Sequence, residues 1–303
     1  MDKNQVPGRA GARLARIGAF LPRRPAAARL VVTFGLLLVG WIALSSLLDA
    51  GGIWVSVAFG VSVYLGFVLS LMLPTMHEAT HGAIARSRFT NRLVGWIAGA
   101  LLLIDFETYR STHLRHHCVA GHPGDPEEPV VLRNTQDYFL HITPWYFLLP
   151  FWCLSWAWLY ERPIKKPKFD RLALIFFLAA ITVSTATWPV FLAFGYWLPL
   201  LMSAAFLFFT TAHEHVLLEG DSAPLTRTVK TFPTLEFLLW NSNYHVAHHK
   251  NPSAPFEHLP QFEPHAHTGQ TRCIKGFVQF QLNLLRDARQ RKKDARKSPE
   301  CSF

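Results

Sequence analysis

The chain has 303 residues, half of them apolar, with a mean hydropathy of +0.17 and a formal net charge of +10. Such hydropathy is high for a soluble domain and ordinary for one with several membrane spans. The basic residues flank apolar runs instead of mixing with polar surface sequence, which excludes a nucleic-acid partner and encodes membrane topology. The four cysteines, Cys118, Cys153, Cys273 and Cys301, form no CxxC pair, so neither a zinc knuckle nor a disulfide framework is indicated and reduced thiols are expected.

Residues 1–29 are rich in Arg and Ala, with Asp2 the only acid. A transit peptide has this composition, but the next apolar run is long enough to span and ends in no small-residue cleavage site, so a basic cytosolic tail is expected. From Leu30 to Leu73 the only charge is Asp49, in the turn-like string Asp49-Ala50-Gly51-Gly52. This predicts a hairpin of helices near 30–48 and 53–74, each close to the roughly 20 residues a bilayer requires. Leu93–Ile104 is too short to cross and reads as re-entrant or interfacial. Tyr138–Tyr160 is broken by Pro144 and Pro150 and reads as an interfacial helix pair. A second hairpin is expected from Leu172 to Ala212, which carries no charge, with its turn at Gly195-Tyr196-Trp197.

Neither hairpin turn holds Lys or Arg. Seven basic residues precede the first hairpin, from Lys3 to Arg29, and Arg162, Lys165, Lys166, Lys168 and Arg171 precede the second. The positive-inside rule then places both termini and the connecting loops in the cytosol. The expected organisation is one membrane domain over residues 30–271 and a basic C-terminal tail over 272–303.

The histidines carry the chemistry. His77 and His81 close the second span, His113, His116 and His117 form one HxxHH set, and His245, His248 and His249 form another. Residues i, i+3 and i+4 share a helix face, so each set can aim imidazoles at one point. His213 and His215 follow the second hairpin. By the topology above, all lie on one side of the membrane. A lone histidine beside a span is more often structural. Three clusters at helical spacing point to metal, and eight or nine nitrogens exceed what one ion accepts.

The strings His77-Glu78-Ala79-Thr80-His81-Gly82, Tyr109-Arg110-Ser111-Thr112-His113-Leu114-Arg115-His116-His117 with Gly124-Asp125-Pro126, Asn243-Tyr244-His245-Val246-Ala247-His248-His249, and Pro255-Phe256-Glu257-His258-Leu259-Pro260 stand in that order. Together they resemble the membrane fatty acid desaturase and hydroxylase superfamily over about residues 70–265. The resemblance implies an all-α integral membrane fold, with four spans in two hairpins under a cytosolic helical cap that holds two irons. It implies ligation by His77, His81, His113, His116, His117, His215, His245, His248 and His249, with His215 favoured over His213 because Glu214-His215 resembles the family's extra ligand position. It further implies dioxygen as co-substrate and an acyl or other lipid-like substrate. With no haem or ferredoxin domain visible, a separate electron donor is expected, a ferredoxin or b-type cytochrome. The host membrane is expected to be a bacterial cytoplasmic one.

His122, His141, His258, His265 and His267 fall outside the boxes and read as surface or supporting residues. Glu78, Asp125 and Glu214 could orient imidazoles through their second ring nitrogen, and Asp105 and Glu107 could equally be solvated. A desaturase is the first expectation and a hydroxylase on the same site the alternative. His77-Glu78-Ala79-Thr80-His81 also fits the HExxH motif of an intramembrane zinc protease, a reading that leaves both HxxHH sets without a role. A metal transporter would need histidines along a path through the membrane, and none lies within the two hairpins.

Overall fold

The computed structural model describes residues 24–120, 125–126, 168–211, 213–215, 226–263 and 272–297. The stretch 138–160 and His122, His141, His265 and His267 lie outside the described residues.

The fold is mostly helical. Helix α1 (Arg24–Ala50) and helix α2 (Trp54–Ser70), continued by α3 (Met72–Thr80), form the first hairpin. Their connection reverses at Gly51 and Gly52, whose φ values of 65° and 58° are left-handed conformations that glycine adopts without a Cβ clash. The outer face of α1 leaves Val31, Val39 and Ile42 more than half exposed. A water-facing helix would not carry that stripe, whereas a lipid-facing one does. Helices α4 (Arg88–Leu101) and α5 (Phe106–Val119) meet at 106°. Asp105 caps α5 by accepting from the Thr108 amide at 2.7 Å, and Glu107 pairs with Arg92 at 2.8 Å. Neither carboxylate is left to solvent alone.

Helix α6 (Lys168–Thr187) is followed by α7 (Pro189–Leu192), a π-helical segment (Ala193–Trp197) and α8 (Leu198–Thr211). Here the structure corrects the sequence expectation. The hairpin turns at Trp188-Pro189, not at Gly195. Trp188 leaves helical geometry (φ −129°, ψ 63°) and Pro189 opens the next helix at its first turn, where a missing N–H costs nothing. Gly195 instead lies inside the apolar helical stretch Pro189–Thr211. The π segment loosens backbone carbonyls, and neighbours satisfy them: Trp41 Nε1 donates to the Gly195 carbonyl at 2.8 Å and Ser62 Oγ to the Phe194 carbonyl at 2.6 Å. Trp197 Nε1 reaches back to Thr185 Oγ1 at 2.9 Å, closing the hairpin.

Among the described residues, three helices are long and apolar enough to cross a membrane: Ala26–Ala50, Trp54–Thr80 and Pro189–Thr211. The apolar part of α6, Leu174–Thr187, is shorter. Helices α2 and α8 approach closely at Gly66, where a Cβ would stand 2.5 Å from that of Met202. The chain is therefore an all-α membrane protein, with three candidate spans among the described residues, or four if the bent pair α4 and α5 makes one.

The remaining elements form a cap at the His81 and Thr211 ends of the spans. They are β1 (Arg227–Lys230), α9 (Pro233–Leu238), α10 (His245–Lys250), a 3-10 turn (Phe256–His258), α11 (Leu259–Phe262), β2 (Arg272–Lys275) and α12 (Phe277–Lys297). Strands β1 and β2 pair in parallel, Arg227 with Arg272 through Lys230 with Lys275. Residues 272–297, set apart in sequence as a tail, pack into the cap. Phe277, Phe280, Leu284 and Ala288 form one buried cluster with Val229 and Leu239.

Candidate metal centre

Three elements and one turn deliver the nine histidines. Helix α3 carries His77 and ends at His81, α5 carries His113, His116 and His117, the turn after α8 carries His215, and α10 carries His245, His248 and His249. Their ring nitrogens converge in two groups. His77, His81, His113, His117 and His248 form the first, and His116, His215, His245 and His249 the second, with ligand atoms in each within 4.8 Å of one another.

Within the first group, Nε2 atoms lie 2.8 Å apart for His77 and His248, 3.1 Å for His248 and His117, 3.0 Å for His117 and His113, and 3.1 Å for His113 and His81. In the second, His116 to His215, His215 to His245 and His245 to His249 are 3.1, 2.9 and 3.1 Å. With a metal–nitrogen bond of about 2.1 Å, neighbouring ligands of an octahedron stand about 3.0 Å apart. The nitrogens already have that spacing.

Mutual hydrogen bonding cannot account for it. A neutral imidazole has one donor and one acceptor, so a ring of inward-facing Nε2 atoms leaves lone pairs opposed. Protonating them is worse. Burial, followed by the neighbouring imidazoles, holds His245, His248 and His249 well below the usual histidine range. Neutral, lone-pair-bearing nitrogens are the form that binds metal.

The two HxxHH sets do not each serve one point, as spacing alone suggests. In α5, His113 and His117 join the first group while His116 enters the second. In α10, His245 and His249 join the second group while His248 enters the first. Each i, i+4 pair holds one site and the residue between them reaches the other, so both helices bridge the two sites. The His117 and His249 rings stack across the boundary with centroids 4.3 Å apart.

Asp125 lies 2.9 Å from His116 Nδ1 through both oxygens, with both side chains buried. That contact fixes Nδ1–H and turns the Nε2 lone pair toward the second group. Glu214 Oε1 stands 3.6 Å from His245 Nδ1. Glu78 does something else. Its Oε2 accepts from Arg29 Nη2 at 2.7 Å and its Oε1 from the Phe256 amide at 2.6 Å, while the same Arg29 nitrogen donates to Glu257 Oε2 at 2.6 Å. With both oxygens committed, Glu78 is poorly placed as the base of an HExxH protease, and His77 and His81 share their group with three further imidazoles. His213 stays outside both groups. Its ring packs on Phe277 and Phe280, and burial beside Arg227 pushes its pKa down to about 3.

Sequence reasoning missed the supports of the third box. Arg227 ties β1 to the histidine turn: its amide donates to the Glu214 carbonyl at 3.0 Å and its Nη1 to the His213 carbonyl at 3.0 Å. Asn243 Nδ2 donates to the Val229 carbonyl at 2.9 Å, and the Val246 amide to Thr228 Oγ1 at 3.3 Å. Buried Glu236 accepts from Tyr244 Oη at 2.7 Å and from the Thr231 amide at 2.9 Å. The β-branched residues Thr226, Thr228 and Val229 were the available strand signal, but three residues are too few to stand out.

The spans, the cap and the paired histidine groups define an integral membrane protein with a candidate two-metal centre beside the bilayer. The fatty acid desaturase family model matches residues 52–270, and the chain belongs to that family. Among curated proteins it is similar to the Delta(12) fatty acid desaturases of Mortierella isabellina and Mortierella alpina, each 33% identical over 57 residues. Those matches cover 19% of this chain and 14% of each relative.

Proposed function

We propose that the chain is a dioxygen-dependent desaturase of an acyl chain in a lipid-like substrate. His77, His81, His113, His117 and His248 hold one iron, and His116, His215, His245 and His249 hold a second. The observation that carries this reading is the partition of nine inward-facing Nε2 atoms into two adjacent groups in a chain of this family. All-nitrogen sites suit iron, copper, nickel or zinc, and the pairing of two sites suits dioxygen chemistry best. When bound, the irons would activate dioxygen as the oxidant of an unactivated C–H bond, which side-chain acid–base chemistry cannot break.

The protein's own contribution is positional. Asp125 keeps the His116 tautomer, α5 and α10 lock the separation of the two sites, and burial keeps water away from them. Desaturation takes two hydrogens from adjacent carbons, and reduction of dioxygen to two waters consumes two further electrons and two protons. Those electrons come from a separate donor, a ferredoxin or b-type cytochrome, drawn to the basic residues of the stretches 1–29, 161–171 and 286–297. The termini and the metal site face the cytosol of a bacterial cell.

The test is lipid mass spectrometry on cells with and without the chain, paired with metal analysis of the purified protein. Two irons per chain and lipids that lose two hydrogens support the reading. Lipids that gain one oxygen make the protein a hydroxylase. A single zinc with unchanged lipids refutes both.

A further inference from the structure

The cap leaves an apolar surface uncovered in an unusual place. Phe232, Phe237 and Leu238, in and before α9, are 61, 68 and 44% exposed. On α12, Val278 and Leu282 are 61 and 45% exposed, one turn apart and off the stripe that packs into the cap. Scattered apolar residues on a cap are ordinary, but these two elements share one cluster, and the position of that cluster can be worked out.

Phe67 of α2 and Phe208 of α8 pack against it, beside Leu235 of α9. The rise from Trp54 to Phe67 is roughly 20 Å and from Pro189 to Phe208 roughly 28 Å at 1.5 Å per residue. A hydrocarbon core is about 30 Å thick, so both side chains fall within its inner third. Elements resting on them cannot stand clear in water. A second anchor agrees. Trp240, just beyond α9, lies against Arg29 at the start of the first span, 5.2 Å from ring to guanidinium, and Phe237 is within 6.5 Å of the Trp240 ring. Exposed cations complete the pattern: Lys230 and Lys275 side by side in the sheet, then Arg286, Arg289 and Lys293 along α12.

We propose that α9 and the first half of α12 form a foot seated in the membrane interface, with the exposed apolar side chains among the upper acyl carbons and the cations on anionic headgroups. The occupant of this surface is the bilayer, because the cluster beneath it rests on side chains of two spans and its charge complements anionic lipid. This inference rests on the spans and is independent of the reaction assigned above. It also links membrane to site. Glu236 of α9 holds Tyr244, which immediately precedes His245, so the seat of the foot sets where α10 carries its three histidines.

The experiment uses the full, metal-loaded chain in lipid nanodiscs containing anionic lipid, with Cys118, Cys153, Cys273 and Cys301 replaced by serine. Cysteines placed singly by Phe237→Cys and Leu282→Cys carry an environment-sensitive fluorophore, and Asp287→Cys is the exposed control. The expected result is a blue-shifted emission at 237 and 282, lost to brominated lipid and preserved in iodide, with the reverse at 287. Quenching by iodide at 237 and 282 overturns the proposal, since the surface then faces water. Protection from both quenchers also overturns it, since a second copy or another protein then covers the face. Phe232→Cys and Val278→Cys provide a second pair if either first variant fails to fold.

Discussion

Replacing Arg29 with methionine should loosen the centre although Arg29 touches no histidine. One guanidinium nitrogen serves two carboxylates, Glu78 at 2.7 Å and Glu257 at 2.6 Å, whose side chains are 4 and 17% exposed. Methionine has a similar stem and no charge. The variant leaves two acids facing each other away from water, and breaking a buried pair by removing one partner costs about 3 kcal/mol or more. At roughly 2–4 °C per kcal/mol, the apparent melting temperature in detergent should fall by roughly 6–12 °C. Glu78, next to His77, ties α3 to the 3-10 turn that follows α10 through its bond to the Phe256 amide, so bound iron should fall as well. Adding Glu257→Gln to Arg29→Met removes one of the stranded charges and should recover part of the loss. Arg29→Lys, which keeps a cation, should be milder than Arg29→Met. Thermal unfolding followed by size exclusion, with iron measured on the same samples, reads all four proteins. A fall no larger than the about 0.5 kcal/mol typical of surface changes, with full iron, would show that the clamp contributes nothing.

Asp125→Asn should weaken metal binding at the second group by roughly 10–100-fold, as loss of an imidazole-orienting carboxylate generally does, and a metal titration that matches the parent chain would refute the role. Alanine at His116, His215, His245 or His249 should take the iron content from two toward one, and alanine at His213 should leave it unchanged. If His213→Ala loses iron and His215→Ala keeps it, the assignment at that turn is wrong. Reporter fusions at residues 51 and 188 should read outside and one at 165 inside, and an outside signal at 165 would overturn the topology. Lys165→Glu with Lys166→Glu should slow turnover driven by a protein donor and spare turnover driven by a small reductant, and added salt should mimic the change because surface attraction is screened over about 8 Å at physiological ionic strength.

The spans and the histidine boxes were legible because both obey simple spacing. An uncharged run of bilayer length has few alternatives, and imidazoles at i, i+3 and i+4 announce a shared face. The sharing of each helix between two sites was not legible, since it depends on how α5 and α10 cross. Glycine and aromatic residues made Gly195-Tyr196-Trp197 look like a turn, while the break came at Pro189, whose ring is as suited to opening a helix as to closing one. Arg29 read as one more topology-setting cation. Only the fold shows that it lies 2.6–2.7 Å from carboxylates 49 and 228 residues away. It also lies outside the stretch matched to the family.

The π segment at Ala193–Trp197 has a consequence for how this chain tolerates change. A π turn accommodates one residue more than the α-helix would, and each residue advances a helix by about 100°. Everything downstream is therefore set in phase by that one surplus residue, up to the turn that presents His215 to His116 and His245. Deleting a single residue there would leave length, charge and hydropathy almost untouched, and the span would still insert. It would nonetheless arrive at the cap rotated by more than a quarter turn, with its histidine aimed away from the other three.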